Sequence, residues 1–356
     1  GLRAGQTLTI TGDAQVRDSF EAIGGTLNIE GGSVGEELAA VNTDINISGG
    51  SVERFFNAYA GSAVNITGGS VGGVFSTRNS AVNISGGSVG GFDALVGSTV
   101  NISGGSVVGS FDAESGSMVN ISGGSVGDFV RARNGSTVNI SGGRVGRFFD
   151  AFAGSQVNIS GGSVGVGFDV NSGSTVNISG GEFTFNGASV SSIDSVDFLS
   201  DDIFSGILAD GSAFIFAGRQ GDSIASGTTT LNTVAVVPAD TTPMTVSSGD
   251  ATSNGLRAGQ TLTITGGAEV RDGFEAIGGT LNIEGGSVGE QLTTVNTDIN
   301  ISGGSVERFF NAFAGSEVNI SGGSVGNSFD ARDSTVNISG GSLSDFNADF
   351  GSQVNI

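Results

Sequence analysis

The chain has 356 residues, among them 65 Gly, 2 Pro and no Cys, Trp or His, and its 13 basic against 35 acidic residues give a net charge of −22. Every basic residue is Arg, because the sequence contains no Lys. This composition excludes disulfides, thiolate and lysine nucleophiles, imidazole bases and Cys or His metal sets, and the negative charge repels nucleic acid and anionic lipid surfaces.

From the N-terminus the sequence is a short repeat. The Ile of each "VNI" or its equivalent falls at Ile10, Ile29, Ile47, Ile66, Ile84, Ile102, Ile121, Ile140, Ile159 and Ile178, always 18 or 19 residues apart. In "STVNIS" Val100 and Ile102 alternate with Thr99, Asn101 and Ser103, the period of a half-buried strand. Val107, Phe111 and Ala113 then follow singly among glycines, so each repeat predicts two or three short strands separated by Gly turns. Glycine density and β-branched content argue against helix.

A unit this small cannot bury its own apolar face and must stack on its neighbours. The expected fold is therefore all-β: a parallel β-solenoid with coils of 18 or 19 residues. The run Val100, Ile102, Val107, Phe111, Ala113 departs from the sixfold spacing of left-handed hexapeptide helices and predicts a right-handed coil. Residues 1–180 make about ten coils, a rod of about 48 Å at ~4.8 Å per coil. Stacking turns each repeat position into a column: the valines of "VNI", its isoleucines, and Phe56, Phe75, Phe92, Phe111, Phe149 and Phe168, expected as an aromatic stack in the core.

Residues 181–254 break the pattern and read as an irregular β spacer or insertion. "DIFSGILADGSAFIFAG" predicts a hairpin around Asp210-Gly211, and a further strand precedes a loop holding Pro238 and Pro243. Residues 255–356 are a second, truncated copy of the solenoid. Of the 102 positions shared by 1–102 and 255–356, 80 are identical and 22 differ, the copies lying 254 residues apart. Most differences, such as Ala63/Glu317 and Thr99/Gln353, are expected to point outward, with inward sites keeping their size and apolarity. Such duplication, with a chain running from Gly1 to a mid-motif Ile356, predicts further copies in a longer parent protein.

The "VNISGG" coils resemble the parallel β-helix repeats of the pectin-lyase-like superfamily and of bacterial surface adhesins and autotransporter passengers. "DIFSGILADGSAFIFAG" resembles spacer segments of very large repeat proteins of planctomycetes and other aquatic bacteria. The resemblance implies an extracellular or cell-surface location.

Candidate chemistry is sparse. The column Asn65, Asn83, Asn101, Asn120, Asn139, Asn158 and Asn177 is expected to be a stacked amide ladder, with glycan recognition the alternative. The column Asp93, Asp112, Arg131, Asp150 and Asp169 reads as a surface ion-pair ladder, or alternatively as carboxylates holding Ca²⁺. An ice-binding array is disfavoured because the flanking position varies through Thr99, Met118, Thr137, Gln156 and Thr175. The acidic cluster Asp194, Asp197, Asp201 and Asp202 reads as a surface loop. No catalytic, cofactor-binding or metal residue is assigned, Ca²⁺ being the one cofactor entertained. The expected function is a non-enzymatic structural or adhesive rod that self-associates into fibres or lateral bundles, without nucleic acid or membrane insertion. A polysaccharide-binding or polysaccharide-cleaving β-helix is the alternative.

Overall fold

The computed structural model describes residues 1–127, 129–146, 148–165, 167–193, 202–217, 227–250, 255–349 and 351–356. Every regular element among them is a β-strand. Successive coils pair in parallel and in register, so Val100 lies between Val82 and Val119, and Ile102 between Ile84 and Ile121. The fold is a parallel β-solenoid.

A coil has three strand segments. In one such coil Thr99–Val107 carries the "TVNI" segment, a bend at the glycines and the "SV" segment, and Phe111–Ala113 follows as the third. The bend requires its two glycines. A Cβ on Gly104 would lie 2.4 Å from the Ser85 carbonyl oxygen of the preceding coil, and Gly105 adopts φ +69°, a conformation costly for any residue with a side chain.

The chain divides into two units. The first comprises residues 1–179, 192–200 and 218–232 and stacks ten "VNI"-type strands, from Thr7–Ile10 to the strand that starts at Thr175. Inside it Val100, Ile102, Phe111 and Ala113 have no exposed surface. The expected phenylalanine column is present: ring centroids are 4.2 Å apart for Phe56 and Phe75, 4.8 Å for Phe75 and Phe92, and 5.1 Å for Phe92 and Phe111. Val130 interrupts it, pairing with both Phe111 and Phe149, before Phe149 and Phe168 resume at 5.0 Å. Each buried ring contributes about 2 kcal/mol.

A second column was not anticipated from the sequence. Ser117, Ser136, Ser155 and Ser174 are buried just ahead of "VNI", and each hydroxyl donates to the carbonyl three residues earlier, at 2.6–2.7 Å. These bonds close the corner between the third strand of one coil and the first of the next.

The second unit comprises residues 180–191, 201–217 and 233–356. Its "VNI"-type stack has seven members, and the first is Met244–Asp250, whose Met244 and Val246 pair with Leu262 and Ile264. Inward sites do not all keep their apolarity between the copies. Ala40 is replaced by the fully buried Thr294, which the core tolerates because its hydroxyl lies 3.2 Å from the Ser316 hydroxyl. The same unit holds an antiparallel hairpin, Ile203–Leu208 with Ala213–Ala217. Its turn has Gly211 at φ +91°, and the Asp210 carboxylate accepts from the Ser212 N–H and hydroxyl, each at 2.8 Å.

Both hairpin faces are covered. Phe204, Phe214 and Phe216 on one face form a ring cluster joined by Phe183, with centroids 5.2–6.2 Å apart. Ile203 and Ile215 on the other pack against Val295 and Phe313, with Ala217 and Ile277 at the margin.

Candidate functional site

The asparagine column is a continuous amide ladder. Asn46 donates to Asn28, and the same Nδ2 to Oδ1 bond repeats through Asn65, Asn83, Asn101, Asn120, Asn139, Asn158 and Asn177 at 2.7–3.0 Å. The second copy repeats it from Asn282 to Asn355. Each interior side chain donates one bond and accepts one within the ladder, so its primary role is to tie coils together.

The acidic column pairs as aligned: Asp93 beside Asp112, then Arg131, Asp150 and Asp169 in successive coils. Arg131 donates to Asp112 at 3.2 Å, and Arg133, further along the same coil, reaches the same carboxylate at 2.8 Å. Arg133 also contacts Glu114 at 3.1 Å. Burial first, and the neighbouring Asp112 second, raise the Asp93 carboxyl above its ordinary value. Asp150 is raised in the same way by burial and by Asp169, with Arg131 and Arg133 opposing. The column is thus an ion-pair ladder at its centre and like-charge contact at its two ends. Among the described residues no group of three or more carboxylates is disposed to hold a metal ion.

Of the spacer cluster, Asp194, Asp197 and Asp201 lie outside the described residues. Asp202 accepts a 2.7 Å bond from Asn186.

One surface was not signalled by any motif. On the outer face of the third strand column in the first unit, Ser19, Glu21, Glu37, Ala39, Phe55, Asn57 and Tyr59 line an open depression of about 480 Å³. Phe55 and Tyr59 are 50 and 37% exposed there, and Ile23, on the same strand column, is 56% exposed. In the second unit the counterparts of Glu21, Val41 and Tyr59 are Glu275, Val295 and Phe313, which are 5, 7 and 3% exposed. Glu275 Oε1 accepts the backbone N–H of Ile215 at 3.0 Å, while its Oε2 is buried without a hydrogen-bond partner. Burial pushes the Glu275 carboxyl well above the ordinary carboxylate range, opposed only by the Ile215 N–H. The sequence carries no warning, because "EAIGGTLNIE" is identical in both copies.

No helix among the described residues is long and apolar enough to cross a membrane. No family model, curated protein or solved structure matches the chain.

Proposed function

We propose that this protein is a segment of an extracellular or cell-surface structural rod, adhesive or fibre-forming and without catalytic activity. The observation that carries the reading is the uniformity of the ladder. The same amide bond repeats through both copies, and the same core column fills the coils. A repeat architecture of this kind gains length and stiffness with each added coil, because every coil contacts chiefly its neighbours. An active site needs one unlike place with convergent polar groups, and the polar columns here are spent on one another.

The resemblance of the coils to bacterial surface adhesins and autotransporter passengers supports the location. The net charge of −22 favours solubility and disfavours unspecific lateral contact, so self-association is assigned to the apolar patches rather than to the charged columns.

Electron microscopy of the purified protein, with antibody labelling of intact cells, tests the reading. Elongated particles or filaments and surface labelling are expected. Compact monomers with an exclusively internal antigen would overturn it, and so would product formation in reducing-sugar or unsaturated-product assays on acidic and neutral glycans.

A further inference from the structure

The two copies present the same outer surface in two different states. In the second unit the hairpin Ile203–Leu208 and Ala213–Ala217 lies over that surface. Its turn sits where a Cβ on Gly211 would meet the Arg257 guanidinium at 3.0 Å, and a Cβ on Gly255 would meet the Ala213 side chain at the same distance. Along the hairpin, the Ile215 N–H reaches Glu275, and Ile203 and Ile215 pack on Val295 and Phe313.

Each residue receiving the hairpin has a counterpart 254 positions earlier. Gly255, Arg257, Glu275, Ile277 and Val295 correspond to Gly1, Arg3, Glu21, Ile23 and Val41, all identical, and Phe313 corresponds to Tyr59. The first-unit surface thus keeps the apolar residues and the carboxylate of the covered one, yet Ile23 and Tyr59 remain 56 and 37% exposed. Apolar side chains grouped this way on a surface mark an interaction site.

We infer that the Arg3, Glu21, Ile23, Val41 and Tyr59 face is a docking site for the Ile203–Ala217 hairpin of a second copy of the module. The occupant is fixed by what the identical surface already holds. The carboxylate accepts an N–H of the hairpin's second strand, and the two isoleucines pack with the valine and the ring. This deepens the structural reading by naming the joint between modules: each hairpin staples the start of the solenoid that follows it, so tandem copies become a continuous series of clamped rods.

The chain has one Tyr, Tyr59, and no Trp, so its intrinsic fluorescence reports this face. The test fuses a second copy of residues 180–254 ahead of Gly1, in the connection that already joins 180–254 to 255–356. Acrylamide quenching of Tyr59 is expected to fall severalfold relative to the 356-residue chain, and Ile215→Asp in the added copy alone restores it. An extended chain whose circular dichroism shows the added strands, yet whose Tyr59 is quenched as before, overturns the proposal.

A second variant removes dependence on folding of the added segment. In the 356-residue chain Gly273→Ser, Gln291→Glu, Thr293→Ala and Phe313→Tyr give the covered face the open face's residues, with Tyr59→Phe removing the other reporter. The tyrosine at 313 is expected to be protected from acrylamide; free quenching there overturns the proposal. Filaments with an unprotected Tyr59 in the extended chain would leave the structural reading standing and remove only this joint. A glycan that protects Tyr59 in the unmodified chain would assign the face to carbohydrate and overturn it.

Discussion

Ile215 gives its backbone N–H to Glu275 Oε1 at 3.0 Å across 60 residues of sequence. This single bond marks where the inserted hairpin meets the second solenoid. The other carboxyl oxygen is buried without a partner, which an ionised carboxylate tolerates poorly and a neutral acid tolerates better. Burial accordingly raises the folded-state pKa well above the ordinary 4.5.

The sign of the pH effect follows. With its folded value above its unfolded one, Glu275 contributes fully below about pH 4.5 and its contribution is lost as pH rises through the raised value. Thermal unfolding between about pH 4 and pH 8 should therefore show the native chain losing stability relative to Glu275→Gln, which keeps the acceptor for Ile215 without a charge. Parallel profiles for the two proteins would show that the carboxylate is not buried under the hairpin.

Arg131 carries the centre of the acidic column, between Asp112 and Asp150. Its side chain and that of Asp112 are 30 and 13% exposed, so the pair lies between the surface and buried limits. Arg131→Asp would place five carboxylates in successive coils, from Asp93 to Asp169. The expected cost at neutral pH is roughly 2 kcal/mol, between about 1 for an exposed pair and about 3 for a buried one. Asp150, already raised by burial and by Asp169, rises further without Arg131, so the variant regains stability on acidification. Urea denaturation at two pH values measures this. Added Ca²⁺ should restore the variant only if the column holds a cation, and an effect of Ca²⁺ on the native chain would establish such a site there.

The core was legible in the sequence because stacking converts a period into a column. Val100, Ile102 and Phe111 recur at one spacing, and their burial and ring stacking follow from it. Even the pairing of Arg131 with Asp112 and Asp150 could be read from alignment of the repeats. What resisted reading was set by distant chain. Glu21 and Glu275 share the same ten-residue neighbourhood, yet one is exposed and the other 5% exposed, because a hairpin with a different periodicity covers only the second. The serine column was within reach, since "GS" precedes "VNI" in many coils, but a hydroxyl ahead of a strand also fits an exposed turn, and only the geometry shows Ser117 donating to Glu114.

Two left-handed glycines, Gly105 of the bend and Gly116 of the corner, separate two costs that ordinary Gly substitutions mix. Gly105 at φ +69° would place a Cβ 2.6 Å from the carbonyl carbon and oxygen of Gly86, whereas Gly116 at φ +71° has its nearest neighbour, the Gly97 nitrogen, at 3.9 Å. Both alanine variants incur about 1 kcal/mol for the left-handed backbone. Gly105→Ala adds a clash with backbone that moves only if the coils separate, bringing the expected loss to about 3 kcal/mol. Equal denaturation midpoints for the two variants would mean that coil spacing relaxes freely at the bend.

The asparagine ladder allows its donor and acceptor halves to be tested apart. Asn101 donates to Asn83 at 2.9 Å and accepts from Asn120 at 2.8 Å. Asn101→Ala removes both bonds and leaves an acceptor and a donor, both partly open to water, so a loss of about 2 kcal/mol is expected at about 1 per bond. Asn101→Asp keeps the acceptor for Asn120 but sets a carboxylate oxygen against Asn83 Oδ1, two acceptors with no proton between them. At neutral pH it should therefore be no more stable than the alanine variant. Acidification supplies the missing proton and restores a donor toward Asn83, so the aspartate variant should recover in acid while the alanine variant does not. Failure of that recovery would show that the ladder stabilises through packing of the amide planes rather than through the hydrogen bond itself.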